Sequence, residues 1–163
     1  MNDVAAKESE YRNYIYEHQL NVKAAWSIML SKCSEFFIEY PELVAEVSEL
    51  VEKHDNSKFS ELEFDGYRKY FYPTQYENKE DAKDEFNKAW IHHYTVNKHH
   101  WDHWKNEPKK MPDKYIIEMI LDWIAMGMKF NNSAIDYYEN NKDNIIISSR
   151  AEVLLYKLCK MYY

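Results

Sequence analysis

Glycine is nearly absent: Gly66 and Gly127 are the only two in 163 residues. Neither lies in a glycine-rich loop, which excludes the P-loop and the dinucleotide-binding turn, both of which cradle phosphate on backbone N–H groups. Only four prolines are present, against averages of about 7% Gly and 5% Pro in ordinary proteins. Such a chain lacks the turn chemistry for the many short strands of a sandwich or barrel. The two cysteines, Cys33 and Cys159, lie far apart with no CxxC spacing, so there is no disulfide framework, and both read as ordinary helix residues of a protein in a reducing cytoplasm. Positive charge is in deficit, with Lys and Arg totalling 21 against 28 Asp and Glu and a formal net charge of −7. A protein that coats duplex nucleic acid by neutralising phosphates is excluded on that balance. A small anionic ligand is not, because a bound metal or a few basic side chains can make one local cationic site. No apolar run reaches membrane-spanning length, and the N-terminal MNDVAAKESEYR is acidic and polar where a signal peptide would be basic and then apolar.

What is present is 45% hydrophobic, 17% aromatic and 30% charged, the balance of a globular chain. At this length roughly 70% of the unfolded surface can be buried. The reading is therefore a single all-α domain over 1–163, a helical bundle of about five to seven helices without internal repeats. Tyr14, Ile15, His18, Val22, Trp26, Met29 and Cys33 recur at three- and four-residue steps and predict a long first helix over 5–39. Pro41 opens a second helix with Leu43, Val47, Leu50 and His54 on one stripe. Further helices are expected over 60–72, 79–105 and 113–131. NEPKKMPDK is the clearest linker, and a Ser149-x-x-Glu152 box starts a last helix. Residues 145–147 give the one strand signal, too short to build on.

All seven histidines fall on these helices or their ends, five of them in the fourth. His92 with His99, and His93 with His100, are seven apart and would share a helix face, with His103 a turn beyond His99. Such rows can gather imidazole nitrogens round a metal or a phosphate. Trp90, Trp101 and Trp104 flank them, which argues that much of this helix is buried. A second anomaly is Asp122 in YIIEMILDWIAMGMKF, amid Ile, Leu, Trp and Met. A lone carboxylate there would cost several kcal/mol, so Asp122 should have a cationic partner, and Glu118 one turn away cannot be that partner.

The order of these residues resembles the HD-domain superfamily of metal-dependent phosphohydrolases. His18 in HQLNV stands where that family has a first-helix His, His54 and Asp55 in HDNSK where it has its adjacent His-Asp pair, and Asp122 in LDWIAM where it has a late helical Asp. The HDxxK string is the closest match. The resemblance implies an HD-like bundle around one or two divalent ions of Mn, Fe, Co, Ni or Zn. Two-metal members carry further histidines in the middle of the chain, and HHYTVNKHHW supplies His93, His99 and His100, here on one stretch of helix rather than on two separate elements. The wider pattern HDxSKF, AW-x-HH and N-x-HHW also resembles a group of short bacterial and phage proteins.

Imidazole and carboxylate ligands suit such ions, which lower the pKa of bound water and polarise a phosphoryl group. Asp55, Lys58, His93 and His100 are the catalytic candidates, with Lys58 on a phosphate oxygen and His93 or His100 touching the phosphate or protonating the leaving group. Glu63 would orient a ligand histidine, and Glu63, Arg68, Tyr94 and Asn97 join Lys58 as substrate-binding candidates. Tyr67, Tyr70, Tyr72, Tyr94 and Trp101 are able to stack on a base or sugar, which would favour a nucleotide, while most of them read better as core or wet-edge aromatics. The expectation is a cytoplasmic phosphohydrolase acting on a small phosphorylated molecule, with no membrane or double-stranded nucleic acid partner and with a homodimer left open. The alternatives are an HD-type di-iron oxygenase and a non-catalytic protein that holds a nucleotide or a partner.

Overall fold

The computed structural model describes residues 3–163, and among them every regular element is helical. In chain order these are α1 (Asp3–Lys32), α2 (Ser34–Glu39), α3 (Pro41–Lys53), a 3-10 turn (Asn56–Phe59), α4 (Phe64–Phe71), α5 (Lys79–Val96), α6 (Trp101–Trp104), a second 3-10 turn (Pro108–Lys110), α7 (Asp113–Phe130), α8 (Ala134–Asn141) and α9 (Ser149–Tyr162). Among the described residues nine helices replace the expected five to seven, for local reasons. The first run breaks at Cys33 into α1 and α2. The fourth helix stops at Val96, because Asn97 turns extended and its backbone N–H and side-chain amide both donate to the His93 carbonyl, at 2.8 and 2.9 Å. An Asn that bonds its own backbone offers the chain an alternative to further helix. The unexpected α8 is capped by Ser133, whose hydroxyl accepts from Asp136 N. The last helix is capped by Ser148 rather than Ser149, and Glu152 instead accepts from the Tyr138 hydroxyl at 2.9 Å. No described helix is long and apolar enough to cross a membrane.

The chain sorts into two compact units, interleaved in sequence and so without a linker to betray them: Met1–Glu17 with Asp55–Asn97, and His18–His54 with Lys98–Tyr163. In the first, Tyr11, Ile15, Phe64, Tyr67 and Ala89 form an aromatic core against which Tyr14, Tyr72, Phe86 and Trp90 pack. Helices α4 and α5 approach closely at Gly66, where a Cβ would stand 2.7 Å from the Glu85 carbonyl oxygen and 2.9 Å from the Ala89 Cβ. Ordinarily Gly→Ala inside a helix gains about 1 kcal/mol. Here Gly66→Ala is expected to cost about 1–3 kcal/mol instead, through overpacking against backbone, and urea unfolding of the variant checks the sign. The 72–78 connection is pinned by Arg68, which is buried and pairs bidentately with Glu77 at 2.5 and 2.9 Å, while Thr74 N donates to the same carboxylate at 2.9 Å.

The second unit is organised round α7. Ile116 to Ala125 are buried without a break, and a helix apolar on every side belongs at the centre of a core. Around it pack Val22, Trp26 and Met29 of α1, Leu43, Val47 and Val51 of α3, and Leu154, Leu155 and Leu158 of α9. Both cysteines are free thiols buried in this core; Cys159 lies in α9, but Cys33 sits at the turn between α1 and α2. Two charged residues, Glu118 and Asp122, lie inside this otherwise apolar helix one turn apart, and so on one face.

Candidate metal centre

In the second unit four elements deliver polar side chains to that face of α7: His18 from α1, His54 as the cap that ends α3, His99 from the non-helical stretch before α6, and Asp122 and Glu118 from α7 itself. All five are buried. The His54 carbonyl is held by the Gln19 amide at 2.8 Å, which ties the cap to α1. Glu118 Oε1 lies 3.0 Å from His54 Nδ1 and 3.3 Å from His99 Nδ1. An ionised carboxylate only accepts, so both imidazoles carry their proton on Nδ1 and present Nε2 as a lone pair. Those lone pairs point the other way: His54 Nε2 stands 3.2 Å from His18 Nε2 and 3.8 Å from Asp122 Oδ1, and His99 Nε2 stands 3.7 Å from Asp122 Oδ2. His18 Nε2 is 3.0 Å from Asp122 Oδ1.

These separations are close to those of a metal shell. With bonds of about 2.1 Å, neighbouring donors lie about 3.0 Å apart in an octahedron and about 3.4 Å apart in a tetrahedron. His18 Nε2, His54 Nε2 and Asp122 Oδ1 make a triangle with edges of 3.0, 3.2 and 3.8 Å, two of them within that range and the third longer. The donor chemistry agrees, since two or three imidazoles with a carboxylate suit Mn, Fe, Co, Ni and Zn. The acids hold their charge in spite of burial. Burial by itself would raise Asp122, yet the hydrogen bond and charge of His18, with the nearby His54 adding to them, put it well below the usual carboxylate range. Burial would likewise raise Glu118, but His99 and His54 bring it down to about 2. The partner expected for Asp122 is thus supplied by imidazoles.

The remaining candidates meet in the first unit. Asp55 has left-handed backbone (φ 57°), a conformation that Asp tolerates better than most residues and that is over-represented at functional sites. Its Oδ2 pairs with Lys58 Nζ at 2.7 Å and its Oδ1 lies 3.2 Å from His93 Nε2. The buried Glu63 carboxylate takes His93 Nδ1 at 2.8 Å and the half-buried His92 Nδ1 at 2.6 Å. Burial alone would raise Glu63, but His93 and His92 lower it; burial would lower His93, and Asp55 with Glu63 raise it. Burial, Asp55 and Glu63 push the Tyr11 phenol upward, so it stays a protonated donor. The Lys58 ammonium lies 5.5 Å from the Tyr67 ring centre.

The structure also sorts the sequence candidates. Glu63 hydrogen-bonds His92 and His93, and Asn97 bonds Ser57 Oγ at 2.7 Å and the end of α5. Arg68 is committed to Glu77, and Tyr94 packs edge-on against Trp90 at 5.6 Å. Because α5 ends at Val96, His92 and His99, or His93 and His100, do not share a helix face. His93 belongs to α5, whereas His99 and His100 precede α6 with ring centres 4.1 Å apart, and His100 is its N-cap. Glu118 was missed as a participant. The signal that could have found it was its spacing of four from Asp122, which gives both acids one direction from α7.

No curated protein and no solved structure matches the chain. The model of a family of unknown function, DUF5662, matches residues 7–161, nearly the whole length, and the chain belongs to that family.

Proposed function

We propose that this protein is a metal-dependent phosphohydrolase acting on a small phosphorylated compound of the nucleotide class. The observation that carries the reading is the buried triangle of His18 Nε2, His54 Nε2 and Asp122 Oδ1, set within reach of one ion. A divalent transition ion bound there would acidify a coordinated water and polarise a phosphoryl oxygen. The chain does the rest: Asp122 supplies the anionic ligand, Glu118 keeps the protons of His54 and His99 on Nδ1, and the apolar surround of α7 excludes bulk water and strengthens each contact. Asp55 as a further ligand, Lys58 on a phosphate oxygen and His93 or His100 on the leaving group follow from the order of residues in the chain and the HD resemblance.

Metal analysis of the purified protein, followed by phosphate release from nucleoside mono- and triphosphates and cyclic nucleotides with Mn, Co, Ni or Mg added, tests the proposal. Release that stops with chelator and returns with metal supports it. A protein that holds no ion and releases no phosphate from any of them would refute it. A second reading, a di-iron oxygenase, is favoured by one observation: a second buried set of imidazole and carboxylate donors, with His93 Nδ1 on Glu63 at 2.8 Å and its Nε2 3.2 Å from Asp55 Oδ1, offers ligands for a further ion. Two irons per chain and an oxygen-dependent absorbance change would select it.

A further inference from the structure

The side chains of His54 and His99 lie next to each other, ring centres 4.4 Å apart and planes inclined by 33°. Each ring reaches from one acid of α7 to the other. His54 is 3.0 Å from Glu118 through Nδ1 and 3.8 Å from Asp122 through Nε2, and His99 is 3.3 and 3.7 Å from the same two acids. The two carboxylates are rails and the two imidazoles rungs. The rungs are held unequally: contacts at the Glu118 end are of hydrogen-bond or near hydrogen-bond length, whereas 3.7–3.8 Å at the Asp122 end is beyond it. The protons therefore sit at the Glu118 end of both rings, and both contacts there fall on a single oxygen, Oε1.

We infer that Glu118 is a positioning residue that sets the tautomer of two histidines at once, so that both present Nε2 to a cation at Asp122. The inference rests on the metal reading above and assigns this acid a role outside the ligand set. One oxygen serving two rings couples them. If it is lost, either ring can move its proton to Nε2, and a protonated nitrogen cannot bind a metal. His54 caps α3 and His99 lies in a non-helical stretch, so neither ring is locked by a helix of its own; the rigid reference is α7.

The test uses the full chain, stripped of metal, and two variants. In Glu118→Gln the amide oxygen can still accept from both Nδ1–H groups, and in Glu118→Ala nothing can. ¹H–¹⁵N NMR of the imidazoles reports the tautomers directly, and titration with Co²⁺ alone, followed by its visible absorption and by chelator competition, reports affinity. The expected result is Nδ1–H at His54 and His99 in the wild type and in Glu118→Gln, with Co²⁺ bound within about tenfold of the wild type by that variant and about 10–100-fold more weakly by Glu118→Ala.

Nε2–H at either histidine in the metal-free wild type overturns the inference, as does a folded Glu118→Ala protein with wild-type Co²⁺ affinity. Loss of a whole ion from Glu118→Gln also overturns it, because Glu118 would then be a ligand. Should Glu118→Ala not fold, the wild-type tautomers and the Gln variant decide. A wild type that binds no Co²⁺ refutes the metal reading, while the tautomer measurement still judges Glu118 independently.

Discussion

Asp122→Ala is expected to cripple metal binding: affinity should fall by about 10²–10⁴-fold, the equivalent of the roughly 3–5 kcal/mol lost when one partner of a buried ionic cluster is deleted. Asp122 Oδ1 stands 3.0 Å from His18 Nε2 and 3.8 Å from His54 Nε2, its Oδ2 stands 3.7 Å from His99 Nε2, and removing it takes from these three imidazoles the anionic ligand that shares their cluster. Two readouts follow. Metal content per chain should drop to background, and the rise in Tm that a ligand bound only to the folded state produces should disappear. Phosphate release should vanish with it. Asp122→Asn keeps the shape and an acceptor oxygen without the charge, and should fall between the wild type and Asp122→Ala. An Asp122→Ala protein that still gains stability from Co²⁺ would show that the buried cluster is structural.

The second large effect lies far from this chemistry. Arg68→Ala should destabilise the protein by about 3 kcal/mol at neutral pH, because it removes a buried guanidinium and leaves the Glu77 carboxylate without its bidentate partner. Hydrogen bonding to Arg68 lowers Glu77 from 4.5 to about 2. A carboxyl whose pKa is depressed by folding contributes fully above its unfolded value and progressively less as pH falls toward its folded one. The difference between Arg68→Ala and wild type should therefore be constant above about pH 4.5 and shrink steadily toward pH 2. Urea unfolding at pH 7, 4 and 3 measures it. An equal penalty at pH 7 and pH 3 would mean that Arg68 acts by packing its stem rather than by its charge.

Much of this was legible from residue order. Periodicity placed the α3 stripe that ends in His54, and the buried α7 could be read from an apolar run too continuous for a surface helix. Asp122 stood out for the same reason, since a carboxylate amid Ile, Leu and Trp must be answered. The histidine stretch could not be read in this way, because Asn97 ends α5 by turning back on the His93 carbonyl while also bonding Ser57, forty residues away in the chain, and periodicity carries no trace of either contact. Glu118 was hidden by a sound rule applied to the wrong pair: two acids do repel, but here they meet through the two faces of shared imidazoles. The division into two units was also unreadable, for each unit is assembled from two separate stretches of chain.

The placement of both acids on α7 has a consequence for motion. Amide exchange in a folded unit is slowest where burial is deepest, since such groups open only with the unit as a whole. Helix α7 is the most enclosed element of the second unit, so Glu118 and Asp122 are carried on backbone that cannot breathe locally. Adaptation to ions of different radius must then come from the capping residue His54 and from the chain round His99. The cluster should accordingly tolerate changes in which imidazoles engage an ion more readily than changes in where its negative charge stands.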